Sequence, residues 1–178
     1  KGGHYLIGTA SGEFLGNEIT NNDNFGKTFI SYLDKNFKLQ WSKVYGEQFD
    51  FDESNEIKIT EDNNIYLTGF NSQGAFLRKL DSSGNEIFIK KINNNQTNKS
   101  QAKDLVIDSN GYIYICGFDT ASWDSKNQVA SSDMFITKLD NSGNTIWNSR
   151  SLSRANANSA YKIQIVNDNI YLLNDSNI

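Results

Sequence analysis

Three stretches of this chain repeat one pattern: Thr28-Phe-Ile-Ser-Tyr-Leu-Asp34, Ala75-Phe-Leu-Arg-Lys-Leu-Asp81 and Met134-Phe-Ile-Thr-Lys-Leu-Asp140. An aromatic residue follows seven positions after each closing aspartate, at Trp41, Phe88 and Trp147. A second pattern recurs as His4-Tyr-Leu-Ile-Gly8, Ile65-Tyr-Leu-Thr-Gly69, Ile113-Tyr-Ile-Cys-Gly117 and Ile170-Tyr-Leu-Leu-Asn174. A third appears as Glu56-Ile-Lys-Ile-Thr60, Asp104-Leu-Val-Ile-Asp108 and Lys162-Ile-Gln-Ile-Val166. Phe29 and Phe76 are 47 residues apart and Phe76 and Phe135 are 59, so the repeat is about 50 residues with variable padding.

All three patterns are short, β-branched and aromatic, and no stretch holds a helical period, so the chain reads as all-β. Asp81-Ser-Ser-Gly84-Asn85, Asp140-Asn-Ser-Gly143-Asn144 and Asp108-Ser-Asn-Gly111 lie between them. These are tight turns: aspartate bonds back to the backbone, and glycine accepts positive φ. The first copy, Asp34-Lys-Asn-Phe37, has phenylalanine in the glycine position, and Asn36 is expected to take the left-handed conformation instead.

Each full repeat therefore supplies four antiparallel strands, A to D. That is the composition of a β-propeller blade. A β-sandwich also uses short strands, but it has no need of one strand pattern three times. The unit from Asp104 to Gly117, followed by Met134 to Trp147, resembles the bacterial β-propeller repeat called SBBP. Its first half is also similar to NHL-type repeats. The Leu-Asp-turn-Trp element is similar to the tryptophan motif of quinoprotein-like propellers, with a turn one residue shorter. The resemblance implies an exported or surface-associated bacterial protein in which the repeat residues are structural.

The expected organisation is a single partial propeller over 1–178, with blades at 1–45 (strands B to D), 46–95, 96–152 and 153–178 (strands A and B). These make about three and a quarter blades. Propellers close with roughly four to eight, so the chain is expected to be part of a longer propeller, or to pair with a second copy through its open edges.

Counting residues excludes several chemistries. One cysteine and one histidine cannot build a Cys/His zinc site or an internal disulfide. A net charge of −4 without a basic cluster argues against nucleic acid. No apolar run approaches the roughly 18 residues of a membrane helix. The start, Lys1-Gly2-Gly3-His4, is unlike a signal peptide. Asparagine is roughly one residue in seven and sits mostly in turns.

Length variation is confined to the B–C and D–A connections, while A–B and C–D turns stay tight. One rim therefore carries the variable loops, where binding residues usually lie. Trp123, in Thr120-Ala-Ser-Trp-Asp124-Ser-Lys126, has no counterpart in the other copies. With Asp124 and Lys126 it offers an aromatic platform for a sugar ring or a partner's apolar anchor; the alternative is that it packs into its own loop. Phe49-Asp50-Phe51-Asp52-Glu53 concentrates carboxylates, without the ligand spacing of a Ca²⁺ loop. It reads either as a contact site or as a solvated acidic turn with two phenylalanines tucked under a neighbouring blade. Lys79 and Lys138 align with Tyr32 and are expected to snorkel along the blade surface. Cys116 is expected to be a core residue.

The function expected is a non-catalytic binding or scaffold module, without metal or cofactor, engaging a protein or glycan through the loop-rich rim. The alternative is a fragment of a sialidase-like or other glycan-active propeller hydrolase or lyase, with its catalytic residues outside this chain.

Overall fold

A computed structural model describes residues 2–11, 26–47, 50–92, 100–119, 133–150 and 158–176. The protein is all-β, with 13 strands in antiparallel sheets and no helix among the described residues. The strands are β1 (Gly3–Ala10), β2 (Lys27–Asp34), β3 (Leu39–Tyr45), β4 (Asp52–Ile59), β5 (Ile65–Asn71), β6 (Gly74–Leu80) and β7 (Glu86–Lys91). They continue as β8 (Ser100–Ile107), β9 (Ile113–Asp119), β10 (Asp133–Leu139), β11 (Thr145–Arg150), β12 (Asn158–Val166) and β13 (Asn169–Ser176). Four meandering sheets result, β1-β2-β3, β4-β5-β6-β7, β8-β9-β10-β11 and β12-β13.

Irregularities recur with the repeat. One residue of the first strand in a sheet is skipped in its pairing with the second, at Asn55, Lys103 and Tyr161. Another is skipped on the last strand, at Gln40, Ile87 and Ile146. The first bulge explains the glycine of the Tyr-x-x-Gly pattern. A Cβ on Gly69 would lie 1.8 Å from the Glu53 carbonyl oxygen, and one on Gly117 would lie 2.0 Å from that of Gln101. Only glycine admits so close a backbone.

Successive sheets pack face to face through three apolar clusters. Ile30 and Tyr45 of the first sheet meet Ile65, Leu67 and Leu80 of the second. Tyr66, Ala75 and Leu77 of the second meet Leu105, Ile113, Ile115 and Phe135 of the third. Tyr114 and Cys116 of the third meet Ala160 and Ile163 of β12. The aromatic residue of the last strand then locks onto the next sheet. Trp41 lies over Gly84, where an added Cβ would fall 2.9 Å from its ring, and Phe88 lies over Gly143, where the distance would be 3.0 Å.

The turns follow the expected chemistry with one correction. In four of them an aspartate Oδ1 accepts two backbone N–H groups at 2.8–3.0 Å: Asp34, Asp81, Asp108 and Asp140. In the first copy it is Phe37, not Asn36, that adopts positive φ, at 61°. Its ring stacks on His4, with centroids 4.3 Å apart, which favours the left-handed backbone at a residue that otherwise disfavours it. A second correction concerns strand length. β4 begins at Asp52, inside the segment expected to be a connection, because its buried polar side chains, Asp52 and Ser54, find partners in Arg78 and Thr28.

Gly117→Ala should destabilise the protein by about 3 kcal/mol, because backbone on β8 must shift. Gly111→Ala, with φ 81° and open space around it, should cost only about 1 kcal/mol in urea unfolding. Hydrogen bonds from Asn85 lower the Asp81 pKa, and those from Asn144 lower that of Asp140. Their stabilising contribution is therefore complete above about pH 4 and is lost as pH falls through the lowered values. A chemical-shift titration of both carboxylates reads this directly.

Candidate functional site

The connections β3–β4, β5–β6 and β7–β8 leave the sheets at one end, and between the first two sheets that end opens into a cavity of about 280 Å³. At its base lies Arg78, on the middle of β6 and 3% exposed. Its Nη1 and Nη2 donate to the two oxygens of Asp52 at 2.9 and 2.8 Å, and its Nε donates to Glu86 at 2.8 Å. The guanidinium carbon is 4.9 Å from the Phe76 ring centroid and 5.3 Å from that of Tyr45. Burial alone would pull the Arg78 pKa down, but Asp52 and then Glu86 more than reverse this and raise it. The arginine is a permanent, rigidly held cation.

The repeat makes this arrangement informative. At the position of Arg78, β2 carries Ser31, bonded to Ser42 at 2.9 Å. The third sheet carries Thr137, buried, with no hydrogen-bond partner for its hydroxyl among the described residues. Arg78 is thus a charged departure at a position that elsewhere takes a small hydroxyl. Its charge type, in register with Ser31 and Thr137, was the available signal in the sequence. The carboxylate-rich segment beside it does not act as a unit. Asp50 accepts a hydrogen bond from Ser72 in the β5–β6 turn, and Phe51 packs edge-on against Phe70 with centroids 5.6 Å apart. Asp52 is buried against Arg78, which corrects the expectation of a solvated acidic turn. Lys27 donates to the Glu47 and Asp50 carbonyls and ties the β3–β4 connection to β2. Phe49, Trp123, Asp124 and Lys126 lie outside the described residues.

At the opposite end a broader groove of about 640 Å³ runs between the second and third sheets, beside Lys58, Thr60, Asp62, Tyr66, Lys79 and Asp108. Lys79 and Lys138 lie along the sheet surface as cations over aromatic rings, Lys79 over Tyr66 at 5.1 Å and Lys138 over Tyr112 at 4.0 Å. Cys116 is fully buried, and burial pushes its thiol up to about 12. Among the described residues no group of three or more His, Cys, Asp or Glu side chains could hold a metal ion. No helix long and apolar enough to cross a membrane is present among the described residues. No protein-family model matches the chain, and no match to it was found among curated proteins.

Removing Asp52 takes away the buried partner of Arg78 and leaves it only the partly exposed Glu86, so Asp52→Ala should destabilise by about 3 kcal/mol. The paired replacement Asp52→Leu with Arg78→Met should recover most of that loss, to within about 1 kcal/mol of the parent, in urea unfolding monitored by tryptophan fluorescence. Cys116 should resist thiol reagents at pH 8 until the protein is unfolded.

Proposed function

We propose that the chain is a non-catalytic scaffold of β-propeller type, belonging to a bacterial exported or surface-associated protein and presenting one loop-rich rim to a partner. The observation that carries this reading is a contact between sheets that are not neighbours. Lys162 on β12 donates to Glu56 on β4 at 2.9 Å, across 106 residues of chain, and lies 3.8 Å from Asp104 on β8. In a flat stack, two sheets separated by a third would be about 20 Å apart. Convergence of three first strands on one axis is the geometry of blades arranged radially. Glu56, Asp104 and Lys162 are the same repeat position in β4, β8 and β12, so two carboxylates share one ammonium where the three strands meet.

The identical bulges, the aromatic-on-glycine interlock and the SBBP resemblance support the same reading. The rim role rests on the confinement of length variation to one end of the sheets. Further blades of the same protein, or a second copy, would complete the open edges of β1 and β13.

Insertion at the two ends separates rim from scaffold. About six Gly/Ser residues placed between Ser72 and Gln73 should cost less than about 1 kcal/mol, since loop closure scales weakly with length. The same insertion after Ser83 should destabilise far more, because it displaces Gly84 from beneath Trp41. Equal tolerance at both ends, measured by urea unfolding, argues against the reading. At the rim itself, Trp123→Ala should weaken binding to an immobilised glycan array by about tenfold or more while leaving Tm unchanged. A large loss of Tm with binding intact reverses that assignment.

A further inference from the structure

The cavity between the first two sheets contains more than sheet packing requires. An ion pair buried at this depth costs several kcal/mol of desolvation that hydroxyl or apolar residues avoid. The aligned Ser31 and Thr137 show that the same strand position packs without charge. Arg78 is held on three sides by Asp52 and Glu86. A guanidinium has five N–H donors, so two remain without a partner among the described residues. The cavity is lined further by Glu47, Asn71 and Lys91, which places hydrogen-bond donors and acceptors around one opening.

We propose that this cavity binds a single neutral sugar residue, such as a terminal hexose of a glycan. Three properties select that class. Acidic side chains at the cavity (Glu47, Asp52, Glu86) outnumber basic ones (Arg78, Lys91), which disfavours an anionic ligand. A donating guanidinium held beside accepting carboxylates matches adjacent hydroxyls, each of which donates one hydrogen bond and accepts others. Ile89, directly across from Arg78 in the β6–β7 pairing and 40% exposed, supplies an apolar wall for the C–H face of a ring. At about 280 Å³ the space suits one ring rather than an oligosaccharide, at the lower end of small-molecule sites. The proposal rests on the rim reading because the cavity opens at that end, but it needs neither ring closure nor Trp123.

The test uses the full chain, labelled with ¹⁵N, and follows the Arg78 Nε–H resonance during titration with D-glucose, D-galactose, N-acetyl-D-glucosamine and, as the anionic control, D-glucuronate. At least one neutral sugar should shift that resonance saturably in the millimolar range. Glu86→Gln should weaken the binding by about tenfold, as expected for losing a hydrogen bond to a charged group. Ile89→Ala, which leaves every ion pair in place, should also weaken it and serves where Glu86→Gln disturbs the fold. The proposal is overturned if no neutral sugar shifts the resonance, if glucuronate binds more tightly than all of them, or if Ile89→Ala leaves the affinity unchanged. Loss of sugar binding with the insertion results intact would remove this ligand class and leave the scaffold reading standing.

Discussion

The seating of one aromatic ring on one glycine is the contact on which the architecture depends. Trp41 on Gly84 and Phe88 on Gly143 join the outer strand of one sheet to a turn of the next. Four antiparallel strands cannot bury both faces alone, so each sheet requires a neighbour. The ring supplies apolar area at the periphery, while Ile57, Leu105 and Ile163 supply it near the first strands. Glycine is required twice over, for positive φ in the turn and for the absence of a Cβ under the ring. Stability is therefore expected to be shared between neighbours and lowest where a neighbour is missing. The exposure of Tyr171 and Leu173 on β13 fits this, since their repeat counterparts Tyr114 and Cys116 are buried.

Charge follows a different rule from the apolar core. Near the convergence of β4, β8 and β12, burial raises the Asp104 pKa although the Ile163 N–H and Lys162 oppose it. Burial acts on Glu56 in the same sense, but Lys58 and Lys162 outweigh it and lower its pKa. One lysine thus serves two carboxylates in different degrees of desolvation. Arg78 repeats the proportion, one cation serving two carboxylates, Asp52 buried and Glu86 partly exposed. In both clusters each buried charge has an opposite charge within reach, as burial demands.

The strands were legible because the β-branched and aromatic positions recur in register, and because Asp-x-x-Gly turns mark where each strand ends. Less was legible where polar residues form strands. The start of β4 at Asp-Glu-Ser-Asn has no apolar alternation to reveal it, since the side chains it buries, Asp52 and Ser54, are polar and are met by Arg78 and Thr28. The candidate site was legible only as a neighbourhood. Asp50 and Asp52 stood out as carboxylates, but their partners, Ser72 and Arg78, lie 22 and 26 residues away, and only the fold brings them together. Arg78 itself is visible in the sequence as the odd member of an aligned triplet; what that charge faces is not. Lys79 and Lys138 were correctly placed on the surface, but the tyrosines beneath them depend on cross-strand register, which a linear pattern does not specify.

Phe37 gives the assembly a direction. It occupies the turn position that glycine holds in the second and third sheets, and its side chain stands where an incoming aromatic ring would have to sit. A sheet of the same design cannot lock onto the first sheet by the same contact, so whatever covers that face must be held by other means. A repeat whose ends were equivalent could add copies of itself without limit. A single bulky residue in one turn makes the two faces of this array unlike, so that a neighbour on the first sheet needs a contact different from the one that joins the later sheets.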